Sequence, residues 1–397
     1  MEREQGAKLR FWLLILFVAV SSVFVFRWAF QTRIGTCDFG AYWSASYLFS
    51  RGENPCSASN MLAVERTHVK PSRDRAMMAW NPPTLWVFLL PLAQLSFDTA
   101  RAVWLLTNIG LLGISCLMLQ RVYFPDTPMW VLVVFYSVVV LFGPVLIAIL
   151  YGQVVFLVLF GIAAALFLIQ RQKWWVAGLV VILTTPKPHL AMLSVPYLML
   201  YLALRRKWRG WLGFGTAGVA CLLVLFALRP SWIRDYAAYL DAPLTEWITP
   251  TIGGVMRAAG VGRWVQFVGL GLLVLLPVML WDPQHPETEE AVSLLTLVTV
   301  PSTFFGWSYD QSLLIVPIAQ VVGWLSEPGV SLASRLLVGA LALAISVTSL
   351  RHRVVATSEA QFLWVPLAWG GVYALAWAVT NGRSSPIQRV EKGPRRS

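Results

Sequence analysis

Charge is scarce in this sequence of 397 residues. Charged residues make up 13% of it, whereas soluble domains average about 25%. Hydrophobic residues account for 57%, and apolar runs recur through almost the whole length. This composition excludes an ordinary soluble protein and leaves no room for a separate soluble domain. The sequence therefore predicts an all-α integral membrane protein that forms one polytopic domain over residues 1–397.

Recognisable nucleotide-binding and metal-binding motifs are also absent. The sequence has no glycine-rich phosphate loop and no Walker motif. It has no spacing of ligand residues typical of a metal site. An enzyme of this kind that works outside the cytoplasm would need a substrate activated on a lipid carrier. We expect neither a metal nor another cofactor.

Cysteine is rare as well, with 4 residues. Cys116 and Cys221 fall inside apolar runs and are most simply core thiols. Cys37 and Cys56 share the first polar loop, and they could form a disulfide if that loop faces an oxidising compartment. Free thiols are the alternative.

The net charge of +12 comes from Lys and Arg in short connections and in the C-terminal tail. That placement follows the positive-inside rule and argues against a nucleic-acid partner. It predicts that both termini and the tail 381–397 are cytoplasmic, in a multi-pass protein of the plasma membrane whose partners include membrane lipids.

About twelve apolar runs are long enough to be interpreted as membrane spans. The run Thr84–Leu95 is shorter and is interpreted as a re-entrant or interfacial segment. The predicted spans are Phe11–Phe30, Ala102–Gln120, Trp130–Leu150, Val154–Ile169, Trp174–Thr185, Leu190–Leu204, Trp211–Leu228, Trp264–Trp281, Ala291–Phe305, Leu313–Leu325, Leu336–Leu350 and Phe362–Val379.

The first external loop, residues 31–83, carries the most informative acid. Asp38 lies just after the first apolar run and before Tyr42–Phe49, which we interpret as a short interfacial helix. An ionised aspartate there can accept a proton from a hydroxyl group. It can equally cap the helix that follows. Position alone does not separate a general base from an N-cap.

A second candidate is Lys187, which lies between Pro186 and Pro188 in a predicted external turn. A lysine there suits a phosphate, and the alternative is a lysine that snorkels at a helix end. His189 could bind the same phosphate, and Asp310 brings a second carboxylate to that face. A cationic rim, or a set of internal ion pairs, is predicted from Arg229, Arg234, Arg257, Arg263, Arg351 and Arg353.

Ordered motifs give the sequence a family resemblance. They are Asp38-Phe39-Gly40-Ala41-Tyr42-Trp43, Trp80-Asn81-Pro82-Pro83, Tyr151-Gly152-Gln153, Lys187-Pro188-His189 and Trp307-Ser308-Tyr309-Asp310-Gln311. In this order they resemble glycosyltransferase family 87, membrane proteins of the GT-C fold class. Many members carry histidine near the last motif, where this chain has Asp310-Gln311, and Cys56 replaces a typical tyrosine.

The resemblance implies an inverting, metal-independent transfer of a hexose, with Asp38 as the base. The donor would be a polyprenyl-phosphate sugar such as mannose, and the acceptor a lipid or a glycan. The expected donor- or substrate-binding residues are Lys187, His189, Tyr42, Trp43, Gln153, Tyr309, Asp310, Gln311, Arg257 and Arg351. The alternatives are a lipid or solute transporter with an intramembrane carboxylate and lysine site, and a non-catalytic scaffold.

Overall fold

The computed structural model describes residues 35–240, 248–281 and 288–381. Within these ranges the chain is all-helical and contains no strand. The predicted span Phe11–Phe30, most of the acidic loop 282–290 and almost all of the basic tail lie outside the described residues.

The α-helices of the described ranges are numbered here in chain order. They are α1 (Cys37–Ser50), α2 (Ala58–Val64), α3 (Thr84–Phe88), α4 (Leu90–Ala93), α5 (Phe97–Tyr123), α6 (Met129–Leu141), α7 (Gly143–Tyr151), α8 (Val155–Gln170), α9 (Trp174–Val181), α10 (Ser194–Leu204), α11 (Trp208–Leu228), α12 (Trp232–Leu240), α13 (Ile252–Ala258), α14 (Leu275–Trp281), α15 (Thr288–Ser302), α16 (Ile315–Ser326), α17 (Leu332–Val355) and α18 (Trp364–Asn381).

In the described ranges, four helices are long and apolar enough to cross a membrane. A bent pair brings the number to five if it counts as one span. The four are Phe97–Tyr123, Trp208–Leu228, Leu332–Arg353 and Glu359–Thr380, the last of which begins with a 3-10 turn. These helices support a membrane protein, but they do not confirm the predicted count of twelve spans.

Several predicted spans are interrupted. The run Trp130–Leu150 forms α6 and α7, which are bent by 54° at Phe142. Pro144 lies just beyond the break, and because proline has no N–H it cannot continue the hydrogen-bond ladder of α6. Much of the run Trp264–Trp281 is 3-10 helix, from Arg263 to Val274. Apolar composition alone did not reveal these breaks.

The short run Thr84–Leu95 is not a span, as predicted. It forms α3 and α4, which are separated at Leu89 and have 5 and 4 residues. A helix rises about 1.5 Å per residue, so neither piece approaches the thickness of a bilayer.

The described residues divide into two compact units, which are considered separately. The first contains residues 35–111, 149–153 and 222–240. Its centre is α1, which starts at Cys37 and is buried on nearly all sides from Phe39 to Phe49. Phe39 stacks on Trp104 at 5.7 Å, and Trp43 meets Phe97 edge-on at 5.5 Å. The predicted helix over Tyr42–Phe49 forms within α1 and packs in the core of this unit, and its position at the membrane interface stays a prediction.

The second unit contains residues 112–148, 154–221, 248–281 and 288–381. Glycine allows its helices to approach closely. A Cβ atom on Gly178 would lie 1.8 Å from the carbonyl oxygen of Gly210, and one on Gly213 would lie 1.9 Å from that of Trp175. Small residues at a crossing are typical of packed membrane helices. Substitution at either glycine would push α9 and α11 apart.

Candidate active site

Asp38 lies in the first turn of α1, two residues after the N-cap position at Thr36. It is therefore not the N-cap residue. Its side chain is half-buried, so the carboxylate remains accessible. The side-chain amide of Gln153 donates a hydrogen bond to Oδ2 of Asp38. The structure thus brings together the first and third sequence motifs, which are more than 100 residues apart in the chain.

Gln153 also contacts Tyr42, which lies one turn after Asp38 in α1. The Tyr42 hydroxyl donates to Oε1 of Gln153 at 3.0 Å. Gln153 is fully buried and Tyr42 is 6% exposed. Of the three side chains, Asp38 is the most accessible to a substrate.

The backbone before Gln153 is held tightly against α1. Gly152 has φ +69°, and a Cβ there would lie 2.8 Å from both the Gly35 carbonyl oxygen and the Phe39 Cβ. Only glycine tolerates both the left-handed conformation and this approach. The Trp104 indole N–H donates to the Gly152 carbonyl oxygen at 2.8 Å. Trp104 had no role in the sequence-based prediction, where it was one apolar residue of a span.

Basic residues of the first loop lie near the start of α1. Burial and the neighbouring Asp38 carboxylate raise the pKa of the Cys37 thiol, and the cations of Arg73 and Lys70 oppose that shift. Lys70 is exposed, and its backbone N–H donates to the Glu65 carbonyl oxygen at 2.7 Å. The sequence analysis passed over these two cations. The run of basic residues between Arg66 and Arg75 was the signal that could have found them.

Neither loop cysteine is in a disulfide. Cys37 is exposed, Cys56 is partly buried, and both thiols are free. Burial, followed by the charge of Asp235, raises the pKa of Cys56 to about 12. The structure therefore does not support the disulfide alternative for this pair.

Trp43 is part of the core of the first unit. Its indole N–H donates to the Leu92 carbonyl oxygen at 3.0 Å, and its side chain is 1% exposed. Its ring lies 4.9 Å from that of Tyr47 and 5.7 Å from that of His68. These contacts support a packing role, and its substrate-binding role stays a prediction.

Lys187 and Asp310 form a buried ion pair in the second unit. Lys187 Nζ lies 2.6 Å from Asp310 Oδ1, with the side chains 6% and 2% exposed. The other oxygen, Oδ2, accepts the Trp307 backbone N–H at 3.0 Å. The Tyr309 ring lies under Lys187 Nζ, at 4.7 Å. This geometry favours a structural role, so phosphate binding by Lys187 stays a prediction.

The remaining predicted site residues of this unit have varied surroundings. Burial and then the charge of Lys187 lower the pKa of His189 to about 3, so its ring is neutral. Gln311 is buried and donates to the Phe362 carbonyl oxygen at 2.9 Å. Arg257 is half-buried and Arg351 is exposed. A role in donor binding stays a prediction for all four.

Two arginines of the predicted cationic rim are in ion pairs. Arg229 Nε lies 2.7 Å from Asp235 in the first unit, and Arg353 contacts Glu359 in the second. For Arg229 the alternative of an internal ion pair with an acid of its own loop is confirmed, whereas the partner of Arg353 was not predicted.

The long apolar helices of the described ranges indicate the class, a helical membrane protein. The model of glycosyltransferase family 87 matches residues 80–308, which are more than half of the chain. The chain therefore belongs to glycosyltransferase family 87. The matched region includes Gln153 and Lys187, whereas Asp38 precedes it. Comparison with curated proteins gives no match, and comparison with solved structures gives none either.

Proposed function

We propose that this protein transfers a hexose, with mannose as the first candidate, from a polyprenyl-phosphate donor to a lipid or glycan acceptor. The reaction takes place on the non-cytoplasmic face of the plasma membrane. Family membership supports sugar transfer. The observation that supports Asp38 as the base is its half-buried carboxylate, which a buried amide holds at the start of α1.

In the proposed reaction, Asp38 accepts the proton of an acceptor hydroxyl. The acceptor oxygen attacks the anomeric carbon from the face opposite the donor phosphate. The new C–O bond forms as the bond to the phosphate oxygen breaks, and polyprenyl phosphate leaves with the bonding electrons. The configuration at the anomeric carbon is thereby inverted. Because phosphate is a good leaving group, the step requires neither a general acid nor a metal.

Two cations of the first loop are candidates for assisting the donor, although one of them, Arg73, is also paired with Glu65. Arg73 and Lys70 lie near enough to Cys37, the residue before Asp38, to affect its thiol. Cations beside a departing phosphate stabilise the negative charge that develops on it. Binding of the donor phosphate near these two cations is part of the proposal, and substitution of Lys70 tests it.

The test measures transfer from radiolabelled polyprenyl-phosphate mannose in membranes that contain the wild type or Asp38→Asn. Removal of a general base commonly costs 10²- to 10⁴-fold in rate, so we expect the variant to lose at least about 100-fold. Asp126→Asn is the matched control, because Asp126 is an exposed acid of the second unit.

Near-full transfer by a folded Asp38→Asn protein would refute Asp38 as the base. If neither protein yields a product, polyprenyl-phosphate glucose is the next donor to test. Solute uptake into proteoliposomes without any covalent product would favour the transporter instead.

A further inference from the structure

The amide of Gln153 lies between a carboxylate and a phenol. Its nitrogen donates to Asp38, and its oxygen accepts from Tyr42 at 3.0 Å. Asp38 and Tyr42 are four positions apart in α1, so their side chains leave the same face of the helix. Gln153 meets that face from a distant part of the chain and joins the two side chains.

The orientation of this amide follows from the chemistry of its partners. An ionised carboxylate only accepts hydrogen bonds, so the NH₂ group of Gln153 must face Asp38. The amide oxygen then faces Tyr42, whose hydroxyl group donates. A flipped amide would bring two acceptors together at Asp38. The Asp38 carboxylate therefore selects the amide orientation, and the Tyr42 hydroxyl, which can donate or accept, completes it by donating to the amide oxygen.

Burial separates this arrangement from a substrate contact. Gln153 is fully buried and Tyr42 is 6% exposed, whereas Asp38 is half-buried. The left-handed Gly152 and the Trp104 indole hold the backbone beside Gln153. A side chain fixed in this way is suited to aim a neighbouring group, since small displacements of a reacting group are costly in rate.

We propose that Gln153 is a positioning residue for Asp38 and that Tyr42 acts through Gln153. The pair fixes the rotamer in which the carboxylate receives the proton of the acceptor. This inference rests on the proposed function. It replaces the expectation that Gln153 and Tyr42 bind the donor. A positioning role predicts a change in kcat, whereas donor binding predicts a change in the donor KM.

The test is a double-mutant cycle with Tyr42→Phe and Gln153→Ala, with kcat and the donor KM measured separately. We expect Gln153→Ala to lower kcat about 30- to 100-fold, because the carboxylate loses its orientation. We expect Tyr42→Phe to lower kcat about 3- to 10-fold, the effect of one neutral hydrogen bond. The donor KM should stay within about twofold in each.

The decisive comparison is the effect of Tyr42→Phe in the two backgrounds. If Tyr42 acts through Gln153, the substitution should have almost no further effect in the Gln153→Ala protein. Independent, multiplicative effects on kcat would overturn the inference. A raised donor KM with kcat unchanged would also overturn it, because that result indicates a substrate contact.

A third variant gives a signature that a merely structural role would not produce. Gln153→Glu places a second carboxyl group beside Asp38, and neighbouring carboxyl groups raise the apparent pKa of the pair. The acidic limb of the pH profile of kcat should move up by about one pH unit or more. An unmoved limb in an active, folded protein would contradict contact between residue 153 and the base.

Controls keep this result distinct from failure of the proposed function. Tyr47→Phe removes a hydroxyl from the same helix, and Gln94→Ala removes an exposed amide of the same unit. Both should retain wild-type kcat. If Asp38→Asn remains active, the proposed role of Asp38 as the base fails, regardless of the results for the Gln153 variants. If Gln153→Ala does not fold, Tyr42→Phe alone tests the inference. A lower kcat with an unchanged donor KM would support it, and a raised donor KM with kcat unchanged would overturn it.

Discussion

At the scale of single residues, Lys187 shows how a sequence pattern can fit two roles. A lysine between two prolines suits a phosphate, yet in the structure its ammonium is 2.6 Å from Asp310. Both side chains are almost completely buried. A buried charge needs a partner, because an isolated one is strongly disfavoured in a low-dielectric surrounding. Asp310 supplies that partner and also ties down the Trp307 backbone.

The ion pair predicts a particular pattern of stabilities. Lys187→Met alone and Asp310→Leu alone should each cost about 3–5 kcal/mol, because one buried charge remains unpaired. The double variant should recover most of that loss, since neither charge remains. Thermal unfolding of the detergent-solubilised proteins is the measurement. If Lys187→Met keeps its melting temperature and raises only the donor KM, Lys187 binds phosphate and the structural interpretation fails.

At the scale of elements, the segment from Glu65 to Met77 is folded against the start of α1. The Glu65 side chain is fully buried, accepts the Met77 backbone N–H at 3.1 Å and pairs with Arg73 at 3.2 Å. Burial raises the pKa of Glu65, and the Met77 N–H and Arg73 oppose that shift. These contacts close a short loop that carries Lys70, so the backbone at Lys70 is held by the loop.

This loop predicts a basic subsite for the donor. Lys70→Ala should raise the donor KM about 3- to 10-fold with a smaller effect on kcat, because the loss of one cation weakens binding of the phosphate in the ground state. The effect should shrink at high salt, which screens exposed charges. Lys173→Ala is the control, since Lys173 is an exposed lysine of the second unit. Equal KM values for all three proteins would place the phosphate elsewhere.

Apolar runs and turn residues predicted most helices of the described ranges, including the core of α5 at Ala102–Gln120. They also predicted that Thr84–Leu95 is too short to span. Long-range partners were not predictable in this way. Gln153 and Asp38 are 115 residues apart, and Lys187 and Asp310 are 123 apart. Periodicity describes only the local environment of a residue, so it can nominate a carboxylate but cannot identify the amide that positions it.

At the scale of the whole molecule, charge placement is the strongest information on orientation. The chain carries +12 overall, and the short connections around Arg171 and Arg205 are basic. The positive-inside rule assigns such connections to the cytoplasm. With the twelve spans predicted from the sequence, the loop that carries Asp38 is predicted to lie on the opposite side. A donor with a polyprenyl tail meets that loop at the membrane surface, which is where the proposed chemistry requires its phosphate.

Cysteine labelling in right-side-out membrane vesicles tests this orientation. Cys37 is exposed and adjoins Asp38, so a membrane-impermeant maleimide should label it without permeabilisation. Because the pKa of its thiol is raised and the thiolate is the reactive form, the reaction should be faster at pH 8.5 than at pH 7. The Cys37→Ser protein measures the labelling of the remaining cysteines. A protein with Cys37→Ser and Arg171→Cys should exceed that labelling only after permeabilisation. The opposite pattern would place Asp38 in the cytoplasm. There the activated sugar need not be carried on a lipid, so this result would remove the main argument for a polyprenyl-phosphate donor.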